Sequence, residues 1–273
     1  MKFEFSEERA RALKQRWSAV RESMLGPATE RMLDAAAVGA GMRVLDIAAG
    51  AGDQTVRAVN RVGPNGKVVA TDVSGEALEF AESEARASGM QNVEFRVMPC
   101  EALAEPDASF DAAICRNGLQ YLSDQARGFA EIHRVLKPGG KVAAVVWSAP
   151  ERNPFFAESF AIAHLRLKSH PPRPDEPGPF RLGFDGALRR ALEGARFGDV
   201  SVVAVQAPNI FASAGEALEF QRQALGLLTQ LLEGMSEADR ADVWREIERA
   251  LRAFERDGSF LAEGELLVGS GSR

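Results

Sequence analysis

The stretch VLDIAAGAGDQT, residues 44–55, decides the fold. Val44 to Ile47 read as a buried strand with one acid in it, Asp46. Gly50 and Gly52 make a G-x-G turn, and the residues after it open a helix over 55–62 that Gly63-Pro64 closes. A strand, a glycine turn and a helix form the nucleotide-binding opening of doubly wound sheets, whose ligands sit at the carboxyl ends of the strands. The two glycines lack a Cβ, so the backbone can turn sharply and come close to a ligand. A dinucleotide fingerprint asks for a third glycine or alanine, and Thr55 stands there instead.

Outward from this stretch the alternation continues. Strands are expected at 43–48, 67–71, 93–98, 110–115 and 142–147, with helices at 55–62, 75–88 and 124–136. Apolar strands joined through single helices predict right-handed crossovers and a parallel sheet covered on both faces. Lys137-Pro138-Gly139-Gly140 stops a helix and turns the chain into strand five. The rhythm changes after Trp147. Residues 150–180 carry Pro171, Pro172, Pro174, Pro177 and Pro179, a loop-rich excursion around one helix at 155–168. A helix at 185–194, a strand at 200–206, a helical region at 215–254 split at Gly234 and a last strand at 265–268 complete the chain. At the other end, a helix over 6–24 capped by Ser6 presents Leu13, Trp17, Val20 and Met24 on one face. A second helix follows Gly26-Pro27. The expected architecture is α/β: a Rossmann-like, doubly wound, mostly parallel seven-stranded sheet, with an N-terminal helical extension and helical insertions forming a lid. The expected units are N-terminal helices at 1–40, a donor-binding core at 41–150, an acceptor-side insertion at 151–199, and 200–273 with its helical insertion at about 215–255.

Charge narrows the ligand. Asp46 ends strand one and Asp53 starts the following helix, so two carboxylates flank the place where a pyrophosphate would rest. They raise the cost of binding an anion and favour an ammonium or sulfonium group. S-adenosylmethionine carries both and has no phosphate. Asp72 ends strand two, where an acid can accept hydrogen bonds from both ribose hydroxyls. Strand three runs into Pro99-Cys100-Glu101-Ala102-Leu103, where an adenine would lie.

VLDIAAGAGD, VVATDVS, CEALAEPDASFDAAICRNGL and EIHRVLKPGGKV follow one another in this order. Together they resemble a class I S-adenosylmethionine-dependent methyltransferase, most closely the ubiquinone/menaquinone-biosynthesis C-methyltransferase group and its methyltransferase domain 11 relatives. The resemblance covers roughly 40–150, with weaker echoes at 180–206 and in the last strand. It implies donor-binding roles for Asp46, Ala48, Gly50 and Gly52 around the methionine moiety, Asp72 and Val73 at the ribose and adenine, Cys100 and Glu101 along the adenine edge, and Arg116 and Asn117 near the methyl group. Most relatives carry Asp or Asn where Pro99 stands, and proline offers no side-chain acceptor for the adenine amino group. The implied reaction is C- or O-methylation of a small, partly apolar molecule, with S-adenosylhomocysteine as product. The alternatives are non-methylating chemistry with the same donor, or donor binding without turnover.

A catalytic residue is not fixed by any motif. Tyr121, after strand four, and His164 and His170, in the excursion, are the candidates for contact with the acceptor or for a base. His133 reads as a packing residue. Phe155, Phe156 and Phe160 read equally as acceptor-pocket wall or helix core, and Trp17 reads first as packing. Cys100 and Cys115 read as small core hydrophobes; two cysteines and three histidines leave no metal site in view. A net charge of −6 argues against a nucleic-acid partner. The charged N-terminus lacks a signal-peptide core, and no run nears the roughly 20 apolar residues of a membrane span. A cytoplasmic monomer or homodimer with a small-molecule partner is the expectation.

Overall fold

A computed structural model describes residues 7–273, with side chains from Arg11 onward. The expected Ser6 cap lies outside the described residues. The chain opens with α1 (Glu7–Arg16) and α2 (Ser18–Ala35), then enters β1 (Arg43–Ile47), α3 (Asp53–Val62), β2 (Lys67–Asp72), α4 (Gly75–Ala87), β3 (Val93–Val97) and β4 (Phe110–Arg116). α5 (Gln125–Val135) leads into β5 (Leu136–Trp147), α6 (Pro154–Arg166), α7 (Ala187–Gly194) and β6 (Gly198–Gln206). The remaining elements are β7 (Asn209–Phe211), α8 (Ala214–Ala224), α9 (Gly226–Leu231), α10 (Glu237–Leu251), β8 (Glu255–Arg256), β9 (Ser259–Ala262) and β10 (Glu265–Ser272).

The seven-stranded sheet has the order β3-β2-β1-β4-β5-β10-β6, with β10 antiparallel to both neighbours and the other pairs parallel. Alternating side chains along each strand divide its core in two. Val44, Val68, Ala112, Ile114 and Val145 face α2 and α3. Leu45, Ile47, Val69, Cys115 and Val146 face α5 and α7. β1 pairs with β2 on one side and β4 on the other, so the chain winds away in opposite directions from that seam. The seam opens a crevice at the carboxyl ends of these strands.

Two expectations are corrected. The first is a helix break at Gly26-Pro27: α2 runs straight through it. An interior proline costs about 3 kcal/mol. Met24, Leu25, Met32 and Leu33 are buried on the same helix, and each buried side chain returns roughly 1.5–3 kcal/mol. The break falls instead at Trp17, which is 2% exposed and wedged edge-on against Phe211 and Phe220. Its indole Nε1 donates to Gln223 Oε1 at 2.9 Å. The second is the helical stretch 215–254: it divides around Gly234 as expected, but also at Leu225, giving three helices. The structure adds a small antiparallel sheet, β7, β9 and β8, which has no counterpart among the expectations from sequence. Strands of two to four residues are too short to show a period.

α6, α8, α10 and the small sheet make the lid. An aromatic cluster joins it to the N-terminal helices: Phe155 lies 5.5 Å from Phe211 and 5.7 Å from Phe260, and Trp17 lies 5.4 Å from Phe220. Phe155 and Phe156 are therefore lid core.

Candidate active site

The turn after β1 is held in an unusual backbone shape. Ala48, Gly50 and Gly52 all have positive φ, at 53°, 55° and 83°. The two glycines serve different needs. A Cβ on Gly50 would meet nothing within 4 Å, so the backbone there faces open space. A Cβ on Gly52 would lie 3.0 Å from the Ala81 methyl, so Gly52 lets α3 approach α4.

Asp46 is fully buried and points beneath this turn, into the first turn of α3. It accepts a hydrogen bond from Thr55 Oγ1 at 2.6 Å and one from Gln54 Nε2 at 3.2 Å. Burial raises its pKa to about 7, against those hydrogen bonds and the charge of Arg116. Asp53 is also engaged: Arg21 Nη2 donates to it at 2.5 Å, with Lys14 at 3.6 Å and Arg116 at 3.7 Å. Neither carboxylate presents a free charge at the turn, which corrects the expectation that the pair repels a phosphate. Asp46 anchors the turn from below and has no surface with which to touch a ligand. Thr55, read as a missing glycine, is the residue that holds it.

Arg116 departs from its expected place as well. Its guanidinium turns toward α2, where Nη1 donates to Thr29 Oγ1 at 2.9 Å. It lines a polar cavity of about 350 Å³ with Lys14, Arg21 and Asp53. Burial lowers its pKa to about 10.

A cleft of about 680 Å³ opens at the seam. Of the residues expected at the donor, it gathers Ala48, Asp72, Val73, Cys100, Glu101 and Asn117. Asp72 sits at the end of β2 and ties two loops together. Its Oδ2 accepts from Gly50 N at 2.9 Å and its Oδ1 accepts from Ser74 N at 2.9 Å. Each oxygen keeps a further lone pair. Val73 beside it is 73% exposed, an apolar surface left uncovered at the cleft. Cys100 contributes little through its thiol, which donates to Gly128 O at 3.7 Å and is pushed up to about 12 by burial. Glu101 Oε1 accepts from Ser123 N at 3.0 Å, bracing the far wall. Met98, Gly118, Leu122 and Arg127 also line the cleft and were not singled out from sequence. Gly118 had a signal in CRNGL: a Cβ there would fall 2.4 Å from that of Ala48.

A second cavity of about 640 Å³ lies between α6, the proline-rich segment and α9. Its wall includes Pro150, Phe160, Pro171, Phe180, Leu227 and Leu231. Tyr121 lines both this chamber and the cleft. Burial pushes its phenol up to about 12, so it stays protonated. The proline-rich segment is pinned to the same short helical turn, Leu119–Tyr121, and to the residue after it. Gly178 N donates to Gln120 O at 3.2 Å, and Arg181 Nη1 donates to Leu122 O at 2.7 Å. His164 also lines the chamber. Its Nδ1 meets Ser169 Oγ at 2.9 Å, and burial lowers its pKa, which keeps the imidazole neutral. His170 is corrected: it is exposed, outside the chamber wall, with its Nδ1 3.1 Å from the Pro171 carbonyl. Glu158 lines the chamber and was missed. Its signal was there in PFFAESFAIAH, where Pro154, Ala157, Glu158, Ala161 and His164 share the helix side opposite the buried Phe155.

Residues 44–140 match the family described as "Methyltransferase domain". Over this segment, about a third of the chain, the protein is similar to a methyltransferase domain. Outside this domain the likeness is weaker. The ubiquinone/menaquinone biosynthesis C-methyltransferase UbiE of Hahella chejuensis is 37% identical over 131 residues, which is 48% of this chain and 52% of that protein. The chain thus spans about half the length of the curated relatives it matches. Among solved structures, the YcgJ protein of Bacillus subtilis superposes with a TM-score of 0.57 at 23% identity, over 91% of this chain and 99% of that one. A geranyl diphosphate methyltransferase solved with S-adenosylmethionine superposes with a TM-score of 0.53 at 18% identity, over 90% and 85%. At these identities the structural likenesses show a shared fold alone, over about nine tenths of the chain.

Proposed function

We propose that the protein transfers the methyl group of S-adenosylmethionine to a small, partly apolar molecule, by C- or O-methylation, and releases S-adenosylhomocysteine. One observation carries this reading: Tyr121 is shared by a cleft built around Asp72 and a chamber walled by apolar side chains. The cleft suits the donor. Asp72 retains acceptor capacity for ribose hydroxyls, Val73 and Met98 offer apolar faces to a purine, and the open space over Gly50 admits a ligand against the backbone. Ala48, Glu101 and Asn117 complete the assigned donor contacts, and Cys100 contributes through its main chain. Asp46, Gly52 and Arg116 act through other residues.

The donor supplies a methyl group on a sulfonium, whose charge disperses as the methyl leaves. Little chemistry is left for side chains, and the gain comes from holding two reactants in line where water is excluded. Tyr121, protonated and at the boundary, donates a hydrogen bond toward the acceptor. His164, neutral, is the group able to take a proton from an acceptor hydroxyl or activated carbon. Calorimetric titration with S-adenosylmethionine and S-adenosylhomocysteine tests the cleft. Micromolar binding of both is expected, and absence of heat from a folded sample rejects the reading. Mass spectrometry for a methylated product then separates methyl transfer from donor binding alone.

A further inference from the structure

We infer that the chamber takes an apolar acceptor bearing a hydrogen-bond donor, an amine or a hydroxyl, that Glu158 receives this group, and that anionic acceptors are turned away. The inference rests on the acceptor reading proposed above.

The chamber's wall is overwhelmingly hydrocarbon, so its few charges decide what polar group a ligand can carry. One of its two guanidiniums is ion-paired, and the other is tethered through a single N–H to a main-chain carbonyl. Arg173 is paired with Glu176, which accepts from its main-chain N at 2.8 Å and from its Nε at 3.2 Å. Arg181 is fixed to the Leu122 carbonyl at 2.7 Å. Glu158 is different. It projects from α6 beside Pro154, Ala157 and Ala161 and is half-buried, and its carboxylate has neither a hydrogen bond nor an ion pair among the described residues. Burial alone holds its pKa above the ordinary value. With Glu151 at the exposed rim, the wall carries three carboxylates against two guanidiniums, beside a neutral His164.

A carboxylate in an apolar wall is costly until it is hydrogen-bonded. An N–H or O–H from a bound molecule supplies the missing partner, and an ammonium adds charge. A carboxylate or phosphate on the ligand does the reverse. It brings a like charge into a poorly hydrated space and leaves both acceptors without donors. Glu158 is therefore assigned to acceptor choice, separate from the donor contacts and from proton removal.

Three probes on one skeleton, phenylbutylamine, phenylbutanol and phenylbutyrate, test this by calorimetry on the full chain, with and without saturating S-adenosylhomocysteine. The amine or the alcohol is expected to bind at least about tenfold more tightly than the acid, and Glu158→Gln to bring that ratio within about threefold. Glu158→Ala serves as the second variant should the first fail to fold. The amine ahead of the alcohol identifies a cationic group as the preferred partner; the alcohol level or ahead identifies a neutral hydroxyl. The inference is overturned if phenylbutyrate binds as well as either, if the ladder survives removal of the carboxylate, or if no probe binds. S-adenosylhomocysteine titrated alone separates the two levels. Its binding beside a flat ladder removes only the chamber inference, and its failure to bind removes the donor reading while the ladder still judges the chamber.

Discussion

The cleft and the chamber are built by different means. The cleft is made mostly of backbone: a turn with three positive φ angles, main-chain N–H groups held by Asp72, and glycines where contacts are close. The chamber is made of side chains: prolines, leucines and phenylalanines around a half-buried acid, Glu158, whose carboxylate has no partner among the described residues. A backbone site needs particular residues at a few fixed spacings, and it falls within the 44–140 domain match. A side-chain site needs only bulk and polarity in the right places, so many sequences can build one. The cleft thus lies in the segment shared with a protein family, and the chamber lies almost wholly outside it.

The largest effect should come from Asp72→Ala. The carboxylate is expected to give both loop anchoring and ribose contact, so affinity for S-adenosylhomocysteine should fall about 100-fold, read by calorimetry with circular dichroism as the control for folding. A loss under threefold would break the assignment of the cleft as a backbone-and-acid site. Ala161→Trp fills the chamber and should lower acceptor turnover at least about tenfold while leaving donor affinity unchanged. Loss of both together would mean that the two regions are one. Tyr121→Phe keeps the shared wall and removes its hydroxyl, so turnover should drop roughly three- to tenfold with donor affinity intact.

The smallest effect concerns Asp46 and tests whether it belongs under the turn. Unfolded, it ionises near 3.8; folded, near about 7. The folded state holds the proton longer, so this group's contribution to stability is full below about pH 4 and is lost as pH rises to about 7. Asp46→Asn should flatten the fall in melting temperature over that window. An unchanged pH slope would show that Asp46 is solvated and faces the ligand after all.

Much of the cleft was legible because its signals are local. Glycines at 50 and 52, an acid at 72 and strand-helix alternation with short connections all sit within short windows of sequence. The inward turn of Asp46 was not, because an acid ending a strand reads the same whether it faces ligand or helix. Arg116 shows the same limit: its position after β4 was readable, but Thr29, which holds it, lies 87 residues away. Glu158 was overlooked because Phe155, Phe156 and Phe160 dominate that helix, and only the packing of Phe155 onto Phe211 and Phe260 reveals which side lines the chamber.

By itself, then, the sequence determined the doubly wound sheet, the glycine turn and the acid at the end of β2, since hydrophobic period and missing Cβ atoms act over a few residues. Tertiary structure decided which carboxylates carry free charge. Desolvation and partner groups come from elements far apart in the chain, and those leave Asp46 and Asp53 satisfied, Asp72 partly free, and Glu158 half-buried without a partner among the described residues in the chamber wall.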